Sequence, residues 1–327
     1  MTRIGVGTIN GCGRNVDADA GAVTGFDSDA DCGGQVPADL LTSRPGRRRP
    51  VEAKITAARL SPCMEEAGTD LVGAIDGIAV KPTETPIERC VQLPVQTIAV
   101  DYEGPEALPS RATLARLAAD RTVRVTVPVR ATGFDPLGDD TMFDRLPDAV
   151  EIVLVAGNPA YLADPARDRA IAPRLGAAID RFPDAWIGTE GIERLATATG
   201  RAQFELLSGR TERTVRALRQ AGFDPTIAVY APMVPSASPD DILDGLGDYV
   251  ARRASVAADL PAAPTTDRHA TGSVRDRLLE GARKFALVGE PSAICSRIDA
   301  LRAAGVDRVI AYPPGGPRTL VNRDAAE

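Results

Sequence analysis

A chain of 327 residues with 44% hydrophobic content and a formal charge of −7 is long enough for one large barrel or two ordinary domains with an ample core. The acidic balance argues against general nucleic-acid binding, which needs a basic face. A membrane span is not expected either, because no run of about 18 apolar residues occurs.

The opening segment, residues 1–63, is rich in Gly, Asp, Ala and Arg and shows no sustained period of two or 3.6. Such a segment buries too little to offset its ordering entropy, so a disordered tail is expected there. The competing reading places the true start at Met64, just before the first patterned segment. Nothing at the N-terminus has the basic-then-apolar form of a secretory signal, and a cytoplasmic location follows. Cys12, Cys32, Cys63, Cys90 and Cys295 form an odd set with no CxxC pair and no neighbouring histidine. Reduced thiols and no metal site are the expectation, with Cys90 and Cys295 buried on helices.

Beyond Met64, β-branched runs alternate with amphipathic stretches. The predicted strands are Gly77–Lys81, Thr97–Tyr102, Val123–Val129, Glu151–Val155, Trp186–Gly188, Gln203–Leu206, Thr226–Ala231 and Arg308–Tyr312. Helices are predicted at Arg111–Ala119, Arg167–Phe182, Gly191–Thr199, Thr211–Ala221, Asp241–Ala258 and Val274–Phe285, with a last one between Pro291 and Gly305. This count and order predict an α/β fold, a single (β/α)8 TIM barrel over residues 64–327. An open doubly wound sheet is the alternative, but it lacks its glycine fingerprint. The connection after the seventh strand is long and predicts a helical insertion at about 240–290, either a lid or a packing decoration. Its loop holds the lone histidine, His269, expected to be exposed.

In such a barrel, reactive groups lie at the carboxyl ends of the strands. Those ends supply Lys81, Asp101 with Glu103, Arg130, Asn158, Glu190, Ser208 with Arg210, and Tyr312 with Gly315, Gly316 and Arg318. Lys81 stands out because the chain otherwise writes arginine; Lys54 and Lys284 are the other lysines. A lysine shielded at a strand end suits Schiff-base chemistry or binding of a phosphate or carboxylate, and a salt bridge to Asp101 or Glu103 is the plainer reading. Glu190 is a candidate general base or a helix cap. Ser208, Gly209, Arg210 and Thr211 make a strand–glycine turn–helix start, a layout suited to an anion at free backbone amides, although ordinary helix capping explains it equally well. Gly315 and Gly316 allow a ligand close to the last strand's exit.

Three stretches carry a family resemblance: FELLSGRTERTVRALRQAG, TIAVYAPMVPSASPDDILDGLGDYVARR and the closing GEPSAICSRIDALRAAGVDRVIAYPP. Across roughly residues 200–317 the order of pieces resembles the luciferase-like superfamily of barrel oxidoreductases. The resemblance implies a deazaflavin coenzyme or flavin mononucleotide as cofactor, its phosphate received at the turn of Ser208–Thr211, and hydride transfer or oxygen activation on a small-molecule substrate. The segments AVKPTETPIERC and TIAVDYEG are similar to a protein group of salt-loving archaea. Two other readings stand beside the oxidoreductase: a lyase using Lys81, and a barrel that binds a ligand without catalysis. A homodimer is compatible with the surface.

Overall fold

A computed structural model describes residues 71–157, 162–317 and 320. The predicted N-terminal tail, the Met64 start, Cys12, Cys32, Cys63, Asn158 and Arg318 lie outside the described residues.

The strands run in chain order as β1 Gly77–Val80, β2 Thr97–Val100, β3 Thr122–Pro128, β4 Glu151–Val155, β5 Trp186–Gly188, β6 Gln203–Leu206, β7 Ile227–Val234, β8 Leu287–Val288 and β9 Arg308–Tyr312. Strands β1 to β7 pair in sequence, and β9 closes the ring by pairing with both β7 and β1, every pair parallel. The protein is therefore a closed (β/α)8 barrel of eight strands. β8 was not expected from the sequence. It is a two-residue parallel annex on the far end of β7, paired Met233↔Leu287 and Val234↔Val288.

The helices are α1 Leu71–Ala74, α2 Arg111–Ala118, α3 Asp164–Arg167, α4 Ile171–Arg181, α5 Glu193–Ala198, α6 Thr211–Gln220, α7 Pro239–Ala251, α8 Ala254–Ala257, α9 Gly272–Phe285 and α10 Pro291–Ala303. Their starts follow local chemistry. The Ser110 side chain accepts from Thr113 N at the head of α2, Ser238 does the same for Asp241 N at α7, and Pro291 opens α10. Gly305, at φ +108°, ends the α10 segment in a backbone conformation that side-chain-bearing residues rarely adopt.

Two predicted helices are each divided in the structure. Arg167–Phe182 breaks between α3 and α4, and the break lets Arg169 on the linking segment and Arg174 on α4 both reach the buried Asp135, at 3.2 and 2.9 Å. Asp241–Ala258 breaks between α7 and α8 because Arg253 is extended, at φ −73° and ψ 124°. A 3-10 helix over Ile87–Gln92 follows the exit of β1.

Alternation along the strands sorts side chains into two layers. Ile78, Ile98, Val125, Leu154, Ile187 and Val229 face the surrounding helices and build the main core. Ala79, Ala99, Val153, Trp186, Phe204, Tyr230, Ile310 and Tyr312 fill the barrel interior. The insertion forms a third cluster, with Ile242, Leu243, Leu246 and Val250 of α7 packed with Leu278, Leu279 and Ala282 of α9. Cys90 and Cys295 are buried, Cys90 on the 3-10 helix Ile87–Gln92 and Cys295 on α10, and His269 is exposed. No helix among the described residues is long and apolar enough to cross a membrane.

Candidate functional site

At the carboxyl ends of the strands lies a cavity of about 490 Å³, within the range of small-molecule sites. Five of the strand-end residues singled out from sequence, Lys81, Asp101, Glu103, Arg130 and Glu190, line it. The insertion roofs it with Tyr249, Arg252 and Arg253. Gly188 on β5 leaves room at its wall, since a Cβ there would lie 2.6 Å from Val155 Cγ1.

One arc of the mouth draws a side chain from each of four neighbouring strands, in the order β2, β1, β9, β7. Asp101 follows β2 directly, its backbone N–H tied to Val80 O at 2.9 Å. Lys81 follows β1 at the same level, because Val80 pairs with Val100. Tyr312 ends β9, and Tyr230 points inward from β7. Tyr230 donates its hydroxyl hydrogen to Asp101 Oδ2 at 2.9 Å, and its ring stacks on Tyr312 with centroids 5.8 Å apart. Lys81 Nζ sits 4.8 Å from the Tyr312 ring centroid and 3.5 Å from Glu84 Oε1, while the Tyr312 hydroxyl donates to Glu84 Oε2.

The lysine's acidic partner is thus Glu84, not the expected Asp101 or Glu103. A three-residue spacing within one turn brings Glu84 close, whereas Glu103 is taken up by Thr83, whose N–H and hydroxyl donate to it at 3.0 and 2.5 Å. Burial pushes the Asp101 carboxyl up to about 6; the Tyr230 hydrogen bond and the Lys81 charge work against that rise, and Glu103 and Glu190 add to it. Part of Asp101 still opens to the cavity. Burial first, and then the Asp101 charge, hold the Tyr230 hydroxyl well above its usual range, so it stays protonated as a donor.

Across the mouth, Glu190 follows β5. It does not cap the next helix: α5 begins at Glu193, whose own carboxylate accepts from Gly191 N at 3.2 Å. Glu190 instead receives Arg253 Nη1 at 2.8 Å, and Arg253 lies over the rings of Tyr249 and Phe285. Glu205 lies beside this wall and accepts from the Thr189 hydroxyl; burial raises its carboxyl as well.

Ser208, Gly209, Arg210 and Thr211 are not among the described residues lining the cavity. Their turn closes on itself. Arg210 N donates to Ser208 Oγ at 3.2 Å, Ser208 N to Thr211 Oγ1 at 2.9 Å, and Thr211 N to Ser208 O at 3.2 Å. Three of the turn's four amides, those of Ser208, Arg210 and Thr211, therefore already have partners, and a Cβ on Gly209 would lie 3.6 Å from Lys284 of α9. Gly315 and Gly316 also stay out of the lining. Gly316 closes a turn onto Pro313 O at 3.0 Å, and a Cβ there would lie 3.0 Å from Thr85 Oγ1, so its smallness serves packing of the β9 exit. None of these six residues lines the cavity, so none is placed to hold the phosphate of a cofactor bound there.

Sequence reasoning missed Tyr230, Tyr249, Arg252 and Arg253. The available signal for Tyr230 was alternation within Ile227–Val234, which puts Ala228 and Tyr230 on the inner face. The roof residues left none, because their place depends on how the insertion folds back.

Fold and site define a (β/α)8 barrel with a small-molecule cavity in the usual place for this architecture. Its sequence matches the family of unknown function DUF7388 over residues 71–320, and the chain belongs to that family. No curated protein matches the chain. Among the described residues, no group of three or more His, Cys, Asp or Glu is placed to hold a metal ion.

Proposed function

We propose that the protein is an enzyme acting on a small molecule in the barrel-mouth cavity, with Asp101 taking and returning a proton. The observation that carries this is the Asp101 environment: a cavity-lining carboxyl held at about 6 by burial and gripped on Oδ2 by a tyrosine that remains protonated. A group poised near neutrality serves best as a general acid–base, because it is both available and sufficiently basic. Oδ1 receives no hydrogen bond from a described residue and is the oxygen available to a ligand. Lys81 supplies a cation beside it that favours negative charge developing on a substrate oxygen.

Residue-specific NMR titration tests the reading at its source. Asp101 should titrate near 6, and a value in the ordinary carboxylate range would sink the proposal. A direct readout is solvent deuterium exchange into a panel of small keto and hydroxy acids, which Asp101→Asn should slow by about 10² to 10⁴-fold.

A second reading is the flavin- or deazaflavin-dependent oxidoreductase. It is supported by the closing segment, where α10 and β9 form the last barrel unit with the resemblance described above, and by Phe204, Tyr230 and Tyr249, whose rings could pack against a flat cofactor. Such a cofactor would supply hydride chemistry. Since the turn of Ser208–Thr211 does not line the cavity, no step is assigned to that cofactor. Thermal unfolding with flavin mononucleotide or deazaflavin coenzyme at about 100 times its dissociation constant should show roughly 2.7 kcal/mol of stabilisation if the reading holds. Arg210→Ala should leave that shift unchanged.

A further inference from the structure

The charges around the cavity run against those of the molecule. The chain as a whole carries −7. The cavity is lined by four cations, Lys81, Arg130, Arg252 and Arg253, against three carboxylates, Asp101, Glu103 and Glu190, giving +1 when all are ionised. Protonation of Asp101 would raise it to +2.

The cations differ in how they are neutralised. Arg253 is matched to Glu190, and Lys81 to Glu84. Arg130, at the exit of β3, meets only carbonyls: Nε donates to Ala156 O at 2.7 Å, Nη1 to Arg167 O at 2.7 Å and Nη2 to Gly157 O at 3.0 Å. These bonds fix its planar fork, use three of its five N–H donors and leave its charge without a carboxylate among the described residues. Desolvation lowers its pKa with no opposing acidic group. Arg252 lines the same cavity from the roof with no acidic partner among the described residues. A guanidinium held in place on carbonyls, with no counter-charge of its own, is arranged for an anion that arrives from outside.

We infer that the ligand of this cavity is a small anion, bearing a carboxylate or phosphate that Arg130 and Arg252 receive while its reacting carbon faces Asp101. The inference rests on the acid–base reading for the role of Asp101, but the charge argument for the anion stands apart from it. A carboxylate substrate and a phosphate-bearing cofactor share this chemistry, so the test separates them.

Calorimetric titration of the full chain uses succinate, inorganic phosphate and flavin mononucleotide as anionic probes, with erythritol as a neutral control. At least one anion should bind, erythritol should not, and affinity should fall with added salt. Arg252→Gln alters an exposed side chain and should weaken the anion at least tenfold without unfolding the protein. Arg130→Lys, which keeps the charge but loses the fork, should weaken it by a smaller factor. Binding of succinate but not of the phosphates would identify the anionic group as a substrate carboxylate; tight binding of flavin mononucleotide that depends on Arg252 would identify a cofactor phosphate. Equal binding of erythritol, no binding of any anion, or insensitivity to both arginine substitutions would overturn the inference. Asp101→Asn distinguishes the two proposals. If it leaves anion affinity intact and abolishes exchange, both stand; if neither anion affinity nor exchange changes, the acid–base reading fails and the anion site remains.

Discussion

Each end of the barrel carries a charged side chain on its inner wall, and the two ends treat that charge in opposite ways. At the amino end Arg124 is 4% exposed, lies 4.2 Å over the Trp186 ring and pairs with Glu151 at 2.7 Å. At the carboxyl end Asp101 faces a cavity, takes one hydrogen bond from Tyr230 and is left with a raised pKa. The first charge is packed against a ring and paired with a carboxylate, although burial lowers its pKa and leaves Nη1 without a hydrogen bond among the described residues; the second faces the cavity with a tyrosine hydroxyl as its hydrogen-bond donor. A shared interior thus separates into a plugged end and an open end, and on the proposed reading the open end gives up stability for reactivity.

Replacing Asp101 should show the largest effect. An ionised carboxylate whose folded pKa is about 6, against an ordinary 3.8, destabilises the native state wherever it is charged. Its stabilising contribution is complete below pH about 4 and is lost as pH rises through about 6. Asp101→Asn removes that loss. Denaturant unfolding at pH 8 should therefore show a variant more stable by up to about 3 kcal/mol, less whatever water in the cavity already screens, while deuterium exchange collapses. At pH 4 the two proteins should converge. A variant less stable at pH 8 would mean that Asp101 is a structural partner like Arg124.

The opposite sign is expected at the plugged end. Arg124→Ala removes the stack on Trp186 and opens a void, and should cost about 3 kcal/mol with ligand binding retained in the folded fraction. Arg124→Met fills the same space without a charge to desolvate and should come within about 1 kcal/mol of the parent. If Met is as damaging as Ala, the Glu151 pair and not the packing holds this end.

The plugged end and the strand framework were largely legible in the sequence, and the open end only in part. β4, β5, β6 and β9 fall at their predicted limits, and the other barrel strands shift by one to three residues at an end. Runs such as Glu151–Val155 and Arg308–Tyr312 pair with parallel neighbours on both sides, so local β-branched content and tertiary demand agree. Lys81, Asp101 and Glu190 could be named because strand ends are set by the same pattern. Tyr230 could not be matched to Asp101, since 129 residues separate them and only the closure of β9 onto β1 brings their strands near. The turn of Ser208–Thr211 was ambiguous for a converse reason. Its residue types suit either an anion or an internal cap, and the choice rests on hydroxyl positions that the sequence does not encode locally.

Tyr230→Phe sharpens the comparison at smaller amplitude. Loss of the hydroxyl removes a bond that lowers the Asp101 pKa, so the carboxyl should titrate above 6 and the exchange profile should move to higher pH. Stability should change by only about 1 kcal/mol, because one hydrogen bond is lost and the ring remains against Phe204 and Tyr312. An unmoved pH profile would show that Asp101 is not the titrating group.

The smallest effect is expected where the roof meets the mouth. Glu190 is 62% exposed and its bond to Arg253 is an accessible ion pair, so Glu190→Gln should alter global stability by less than about 1 kcal/mol, and high salt should reduce the difference further. The pair's consequence is local, because Arg253 is the extended residue that separates α7 from α8 and its guanidinium is laid over Tyr249 and Phe285. Releasing it should quicken amide hydrogen exchange at residues 251–257 while leaving the insertion core of Leu246, Val250, Leu278 and Ala282 protected. Exchange confined to that segment would make the pair a tether between two separately stable cores. If protection is also lost along α7 and at Tyr230, the roof and the arc of Tyr230 and Asp101 unfold together, and the open end depends for its geometry on the insertion as much as on the barrel.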